Sequence, residues 1–419
     1  MVVLSIFDGM SCLQLALNRI GIKPTKYFAS EVDKYSMQVT MANFPDTIQL
    51  GDVRNVKGSD LGFVDLIGGG SPCQSFSFAG KRKGMSTKCE VEILSLSHYL
   101  ELKKQNFEFE GQSYLFWEYM RILEEVRAIN PNVKFLLENV EMGKKWEGIL
   151  TRAIGIKAIH INSALVSAQN RKRIYFTNIG VEQVGFFGDL ECTIPHPKDK
   201  GILLKDILEN NVDAKYFISS KMIDRISRSN NGEKCFADNQ KSMCLAAGYY
   251  KQGRDNQLIT VHNTMPRSGD PKKGGTGHLS RSDGKTYCLD TGNTNAIEIR
   301  KDNLVVLNEN QKKKFDFNPN TDKANCLTLA QGRAGSSDEY MDAVSKIAKI
   351  QGNIRRLTPT ECERLQTVDD NYTKYGIDEK GNKVVISDTQ RYKMLGNGWT
   401  IEVISHILSY LPKEYFNNK

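Results

Sequence analysis

Apolar and polar positions repeat with two alternating periods over the first 180 residues of the chain. Four short apolar runs have the length and composition of buried strands: VVLSIF at 2–7, YFAS at 27–30, VDLIGG at 64–69 and KFLLENV at 134–140. Three segments between these runs carry apolar residues at helical spacing: 13–20, 34–43 and 113–128. Strands that alternate with helices are typical of βαβ units. We therefore predict an α/β fold with a doubly wound mixed sheet and helices on both faces.

The pattern changes after about residue 180. From 181 to 353 the chain is rich in Gly, Asn, Asp, Lys and Ser with short strand-like pieces, and helical periodicity resumes near Arg355. We interpret this as a first domain at 1–180, an inserted loop- and strand-rich domain at 181–353, and a C-terminal segment at 354–419 that returns to the first domain. The segment 89–111 is rich in charge and leucine, and we interpret it as an inserted loop or helix over the cleft with no assigned role.

A Lys-x-x-Cys-Leu sequence occurs three times in the middle domain, at 241–245, 285–289 and 323–327. We interpret the three copies as similar strand-and-turn units, each with a buried Cys-Leu pair. A direct role for these cysteines is the alternative.

Composition narrows the class of protein. The formal net charge of +8 is a modest basic excess that suits a polyanionic partner, although a solvated basic surface explains it equally well. The nine cysteines form no CxxC pair, so the sequence suggests neither a disulfide framework nor a zinc site. The N-terminal stretch has no basic region followed by an apolar run, and no run of about 18 apolar residues occurs. We expect a soluble cytoplasmic protein.

Two features suggest a nucleotide site, each weakly. FDG at 7–9 lies where a strand meets a helix, and Glu31 closes the next strand at a spacing at which an acidic residue meets a ribose hydroxyl. GDV at 51–53 places an Asp at a strand end, where it can accept a hydrogen bond from an adenine amino group. The full GxGxxG is missing, because Met10 and the two residues after it stand where glycines are expected. An ordinary strand-turn-helix remains the alternative.

The strongest candidate for chemistry is Cys73, in GGGSPCQSFSFAG at 68–80 after the fourth predicted strand. Ligands of doubly wound sheets bind beyond the carboxyl ends of the strands, and Pro72 fixes the turn that presents the thiol. A lone cysteine is more often a small buried hydrophobe, so Cys73 needs supporting residues.

Two later strands supply that support. Glu138 and Asn139 lie in ENV at the end of one strand, and Arg171 with Arg173 lies on one face of another by the period of two. A thiol, a carboxylic acid and two guanidiniums would then meet at one sheet edge. The alternative is a structural ion pair between Glu138 and the arginines.

These motifs resemble those of the DNA cytosine-5-methyltransferases, in the family's order and over most of the chain. The matching elements are FDG, Glu31, GDV, GSPCQSFS, ENV, QNRKR, RRLTPTECERLQ and LGNG at 395–398. The first three are similar to the vertebrate de novo branch, and the middle domain resembles the recognition domain of bacterial or phage enzymes. The resemblance implies the fold of S-adenosylmethionine-dependent methyltransferases. It also implies methyl transfer to C5 of a flipped cytosine at a short sequence in duplex DNA, with S-adenosylhomocysteine as product and no metal.

The resemblance also assigns catalytic roles. It implies that Cys73 attacks C6 of the cytosine, that Glu138 holds N3 and the amino group, and that Arg171 and Arg173 position the base. Gln74 and Ser77 become candidates for stabilising the flipped state.

Donor and DNA contacts are implied in the same way. The donor site takes these residues: Phe7, Gly9, Met10, Glu31, Val32, Asp52, Val53, Pro72, Leu115 and Asn397. Met10 and Gly398 depart from the family pattern, where glycine and serine are usual, so the donor contacts follow less directly. Asn139 and Gln169 are expected on the DNA side. Four arginines of the middle domain would contact bases or phosphates, with a solvated loop as the alternative for each: Arg254, Arg267, Arg281 and Arg333.

Three alternatives stay open at this level. The first is the same chemistry on tRNA, against which the large middle domain argues. The second is a catalytically silent DNA-binding homologue, and the third is a nicotinamide oxidoreductase, which explains neither PCQ nor QNRKR. We expect a monomer that acts on double-stranded DNA, with no membrane partner, in a restriction-modification or phage-protection setting. A cognate restriction enzyme is possible.

Overall fold

The computed structural model describes residues 1–72, 85–184, 189–210, 212–217, 241–251, 257–260 and 354–416. Several predicted positions lie outside these residues: Cys73, Gln74, Ser77, Arg254, Arg267, Arg281, Arg333 and the repeats at 285–289 and 323–327.

A seven-stranded sheet forms the centre of the described structure, in the order β3-β2-β1-β4-β5-β7-β6. Its strands are β1 (Val2–Ile6), β2 (Lys26–Ser30), β3 (Ile48–Gln49), β4 (Leu66–Gly70), β5 (Lys134–Val140), β6 (Ile159–Asn162) and β7 (Lys172–Thr177). Strands β1 to β5 pair in parallel, while β7 runs antiparallel between β5 and β6. Five parallel strands with connections on both sides of β1 make the sheet doubly wound, as predicted.

The direction of β7 decides which residues meet. Since β5 ends and antiparallel β7 begins at the same sheet edge, Val140 lies opposite Arg173. Gly70, the last residue of β4, lies opposite Glu138 in β5. The carboxyl ends of β4 and β5 and the start of β7 therefore form one edge, where the predicted catalytic residues were expected.

Eight helices flank the described sheet: α1 (Cys12–Arg19), α2 (Lys34–Asn43), α3 (Leu96–Lys104), α4 (Leu115–Arg127), α5 (Lys144–Ile154), α6 (Pro359–Leu365), α7 (Asp388–Asn397) and α8 (Ile401–Leu408). The apolar face of α4 packs into the main core with the buried faces of β4 and β5. Helix α6 starts with a capping box, in which Thr358 and Glu361 satisfy each other's backbone N–H groups. Helix α8 packs on α1, where Ser405 donates to the carbonyl of Ala16 at 3.2 Å.

The described structure divides into two compact units, and the division differs from the sequence boundaries. Residues 1–209, 239–253 and 358–419 form the first unit, so the first Lys-x-x-Cys-Leu segment belongs with the central sheet. The described residues within 210–238 and 254–357 belong to the second, in which β10 (Leu258–Thr260) pairs antiparallel with β11 (Ile354–Arg356). Outside both sheets, β8 (Val181–Val184) pairs with β9 (Asp189–Cys192), and β12 (Tyr375–Ile377) pairs with β13 (Lys383–Val385).

The segment 89–111 contains helix α3, one of the two structures, loop or helix, that its sequence left open. Helix α3 is held against α4 by Glu118, whose fully buried carboxylate accepts from Tyr99, Lys103 and Arg121. Tyr99 and Lys103 belong to α3 while Arg121 lies on α4 with Glu118, so the buried carboxylate ties α3 to α4 through two donors. None of the helices in the described part of the chain combines the length and hydropathy that a membrane-spanning segment requires.

Candidate active site

Glu138 and Arg173 form the centre of the site. Arg173 Nε lies 2.9 Å from Glu138 Oε1, and both side chains are largely buried. Gly70 faces this pair across the sheet, because a Cβ there would come within 3.2 Å of Glu138 Oε2 and 2.8 Å of Trp399 Nε1. The indole of Trp399 and the carboxylate of Glu138 therefore both border Gly70, and the motifs did not reveal Trp399 as part of this region.

The end of β4 is tied to the end of β5 next to this pair. Asn139 Nδ2 donates to Ser71 Oγ at 2.9 Å, and both residues are buried. Ser71 stands two residues before Cys73 in the chain. Asn139 was expected on the DNA side, but its described contact is this bond within the protein. Its contact with DNA stays a prediction.

Arg171 lies in a different environment from Arg173. Arg171 is 3% exposed, and its guanidinium donates to the carbonyls of Leu245 at 3.1 Å, Gly396 at 3.3 Å and Gly398 at 2.7 Å. Backbone carbonyls thus accept hydrogen bonds from the guanidinium N–H groups that were expected to position the base. The described contacts make Arg171 the anchor of the LGNG loop, and a direct role in positioning the base stays a prediction.

Cys244, in the first Lys-x-x-Cys-Leu segment, contacts both arginines. Its Sγ lies 3.4 Å from Arg171 Nη1 and 3.9 Å from Arg173 Nη2. Desolvation by the surrounding protein raises the pKa of this thiol, but the two guanidiniums outweigh it and hold the pKa below its ordinary value. Leu245 is buried whereas Cys244 is exposed, so the interpretation as a buried Cys-Leu pair is wrong for the cysteine of this copy.

A buried chain of amides links the QNRKR segment to the C-terminal motifs. Gln169 Nε2 donates to Leu365 O at 2.6 Å and to Gln366 Oε1 at 2.9 Å, and Gln169 Oε1 accepts from Leu245 N. Gln366 in turn donates to Leu395 O at 2.7 Å and accepts from Thr400. Gln169 was expected to contact DNA, yet it is fully buried, and these partners make it structural in the described conformation.

The turn after β1 has an unusual backbone. Phe7, Gly9 and Ser11 have φ values of 59°, 59° and 64°, in the left-handed region that favours glycine. Such a conformation costs about 1–3 kcal/mol for a residue with a side chain, so the surroundings must hold it. Asp8 supplies part of that support, because its buried carboxylate accepts from Tyr27 Oη at 2.7 Å and from Ser11 Oγ at 2.9 Å.

Two acidic residues were predicted to bind the methyl donor, and one of them, Glu31, contacts this turn. Glu31 Oε2 accepts from Gly9 N at 2.8 Å, and its other oxygen accepts from the two N–H groups that follow Glu31. Asp52 is bound by the guanidinium of Arg54, which lowers the pKa of the carboxyl below its ordinary value. Val32 is 70% exposed, which leaves an apolar surface open beside Glu31.

The other residues predicted to bind the methyl donor differ in exposure. Val53 and Met10 are buried, Phe7, Pro72 and Leu115 are half-buried, and Asn397 is exposed at the end of α7. A donor molecule can therefore reach only part of this set without a change in the protein.

The two departures from the family pattern, Met10 in place of glycine and Gly398 in place of serine, lie next to each other. A Cβ on Gly398 would come 3.0 Å from Met10 Cε and 3.4 Å from Cys12 Sγ. The larger side chains of the turn thus occupy the room that a serine at 398 would need. Cys12 is itself buried, and burial raises the pKa of its thiol to about 12, so it is a packing residue rather than a nucleophile.

The chain is similar to known methyltransferases along its whole length. It is 26% identical to the orphan methyltransferase M.SPRI of Bacillus phage SPR, over 100% of this chain and 98% of that protein. It is 27% identical to the type II methyltransferase M.NlaX of Neisseria lactamica, over 64% of this chain and 82% of that protein.

Solved structures of other methyltransferases share the fold. EhMeth of Entamoeba histolytica matches with a TM-score of 0.55 at 15% identity, over 98% of this chain and 97% of that one. DNMT2 of Spodoptera frugiperda matches with a TM-score of 0.53 at 18% identity, over 98% and 99%. These likenesses confirm the predicted α/β fold of the methyltransferase type. A family model described as C-5 cytosine-specific DNA methylase matches residues 1–148 and 159–413. The chain therefore belongs to the C-5 cytosine-specific DNA methylase family, as the order of its motifs indicated.

Proposed function

We propose that this protein methylates C5 of a flipped cytosine at a short sequence in duplex DNA, through a covalent bond between Cys73 and C6. The observation that carries the proposal is the 2.9 Å contact of Arg173 with Glu138 at the sheet edge that leads into Cys73. Family membership gives the reaction class. The buried pair supplies an acid and a cation where the family's chemistry needs them.

The proposed mechanism begins with the nucleophile. Cytosine C5 is a weak nucleophile, so a thiolate at Cys73 adds to C6 and converts the ring to an enamine, whose C5 takes up the methyl group. Loss of the C5 proton then lets Cys73 leave C6, which breaks the covalent bond and releases the methylated base. A thiol with an ordinary pKa near 8.5 is only a few per cent ionised at neutral pH, so a nearby cation favours the attack. Arg173, whose side chain is 14% exposed, is a better candidate for that cation than Arg171, which is 3% exposed and donates to three backbone carbonyls of distant segments.

Glu138 holds the base in this mechanism. Its carboxyl group forms hydrogen bonds with N3 and the amino group of the cytosine and stabilises the charge that develops there. Arg173 keeps the carboxyl oriented, since their contact fixes one oxygen and leaves the other, beside Gly70, to face the base. Base flipping exposes these atoms and costs a few kcal/mol, which contacts to the DNA must offset.

The residues around the first turn fit S-adenosylmethionine as methyl donor. Glu31 directly follows β2 and carries a carboxylate suited to ribose hydroxyls, and the open apolar surface of Val32 suits the face of a purine. S-adenosylmethionine supplies the methyl group when bound and leaves as S-adenosylhomocysteine. Asp52 would accept from the adenine amino group, and Arg54 must then share or release its carboxylate.

The biological setting is proposed from relatives. M.NlaX is described as a type II methyltransferase and M.SPRI as an orphan methyltransferase of a phage. We propose a role in restriction-modification or in protection of phage DNA, with double-stranded DNA as the macromolecular partner.

The test uses duplex DNA that contains 5-fluorocytosine. Fluorine at C5 blocks elimination, so the wild type should form a covalent complex that resists denaturation, and Cys73→Ser should form none. Bisulfite sequencing of treated DNA identifies the methylated atom class and the target sequence. Labelled donor incubated separately with duplex DNA and with tRNA distinguishes the substrates. An adduct that is undiminished in Cys73→Ser, or label only in tRNA, would refute the proposal.

A further inference from the structure

The turn between β1 and α1 lacks the glycines that its backbone conformation favours. Ser11, the N-cap residue of α1, is fully buried with φ 64° and ψ 43°, and its side chain makes no capping hydrogen bond to the helix. Phe7 is also left-handed, and only Gly9 takes this conformation without a steric cost. Something other than glycine must therefore keep the turn in place.

Side chains from three different elements hold this turn. Asp8 lies at its centre, with one carboxylate oxygen on Tyr27 of β2 and the other on Ser11 at the start of α1. Glu31 holds Gly9 N, and Tyr372 Oη donates to Met10 O at 2.8 Å. Each residue from Asp8 to Ser11 thus has a polar anchor.

We infer that Asp8 is a positioning residue for donor binding, whose carboxylate takes the place of a glycine-rich run. The carboxylate bridges β2 and α1, and so holds Ser11 in the left-handed conformation that sets the path of Phe7, Gly9 and Met10. Asp8 itself is 6% exposed and acts through the backbone of the turn. This inference rests on the proposed donor site.

Asp8→Ala removes both acceptors, whereas Asp8→Asn keeps the size of the side chain and one acceptor for Tyr27. Asp8→Ala should raise the dissociation constant for S-adenosylmethionine about tenfold or more, because a bond to a charged group contributes at least about 1.4 kcal/mol. The constant for S-adenosylhomocysteine should rise by the same factor, since both ligands meet the same turn. Asp8→Asn should stay within about threefold of the wild type, well below that tenfold change.

A second substitution separates positioning from general stability. Glycine adopts the conformation of Ser11 without strain, so Asp8→Ala combined with Ser11→Gly should recover most of the lost affinity relative to Ser11→Gly alone. Asn130→Ala is the matched control. Asn130 Nδ2 is buried and donates to Val64 O at 2.8 Å, near the opposite edge of the sheet, where β4 and β5 begin. This control should lose stability and keep its donor affinity.

The measurements are isothermal titration calorimetry with each ligand and thermal unfolding of the ligand-free proteins. KM for the donor should follow the dissociation constants while kcat changes little. Unchanged affinity in Asp8→Ala, or no recovery in the double variant, would overturn the inference while the proposed function stands. Wild-type protein that binds neither ligand would instead remove the proposed donor site itself.

Discussion

Arg173 Nε and Glu138 Oε1 are 2.9 Å apart across neighbouring strands of opposite direction. The contact exists because β7 runs back along β5, which places the start of one strand beside the end of the other. Glu138 is also buried, and Gly70 of β4 lies opposite it in the sheet. A buried carboxylate that is held in place by one guanidinium is suited to bind the hydrogen-bonding edge of a base.

Glu138→Gln keeps the shape of this side chain and removes its charge. We expect kcat to fall by about 10²–10⁴, the usual contribution of a positioned acid or base. Turnover is measured with saturating donor and duplex DNA. Glu147→Gln, at a partly exposed contact with His160, serves as the control. Wild-type turnover in Glu138→Gln would contradict the assigned role.

Lysine substitutions should separate the two arginines. Arg171→Lys keeps the charge but cannot reach the carbonyls of Leu245, Gly396 and Gly398 together, so we expect a loss of about 2 kcal/mol or more in the free energy of unfolding. Arg173→Lys should lower the free energy of unfolding less than Arg171→Lys does, and it should lower kcat more. Urea unfolding and steady-state rates on both variants make the comparison. Equal stability losses would argue against different roles.

Burial raises the pKa of Asp8 from 3.8 to about 6. Between about pH 4 and pH 6 the unfolded chain has lost this proton while the native protein still holds it, so stability falls as pH rises through this window and is level above it. The amide of Asp8→Asn does not titrate, so this position adds no pH dependence to the stability of the variant. Its stability relative to the wild type should therefore increase over the window, by no more than a few kcal/mol. Urea midpoints at a series of pH values test this, and a difference that does not vary with pH would contradict it.

Gly396 packs directly against the backbone of the segment after Cys244. A Cβ there would lie 2.2 Å from Ala247 N and 2.3 Å from the carbonyl carbon of Ala246, and backbone atoms cannot move aside cheaply. Gly396→Ala should destabilise the protein by about 1–3 kcal/mol. Gly148→Ala in the middle of α5 meets only one flexible side-chain atom and should be neutral or stabilising. Thermal unfolding compares the two, and equal midpoints would exclude the close contact.

The α/β fold and the position of the site follow from local sequence. Apolar runs of strand length alternate with helical periods, and polar residues follow the ends of two such runs, so parallel pairing brings them to one edge whatever the rest of the chain does. The order of the motifs, with Cys73 and Glu138 among them, was enough to indicate the family.

Only the tertiary structure separates the two arginines. A period of two places Arg171 and Arg173 on one face, but their partners come from Leu245, Gly398 and Glu138, which are far apart in the chain. The same holds for Met10 against Gly398 and for Gln169 against Gln366. Such pairings depend on how distant segments pack and on which buried polar atoms must find partners, and no local pattern encodes either.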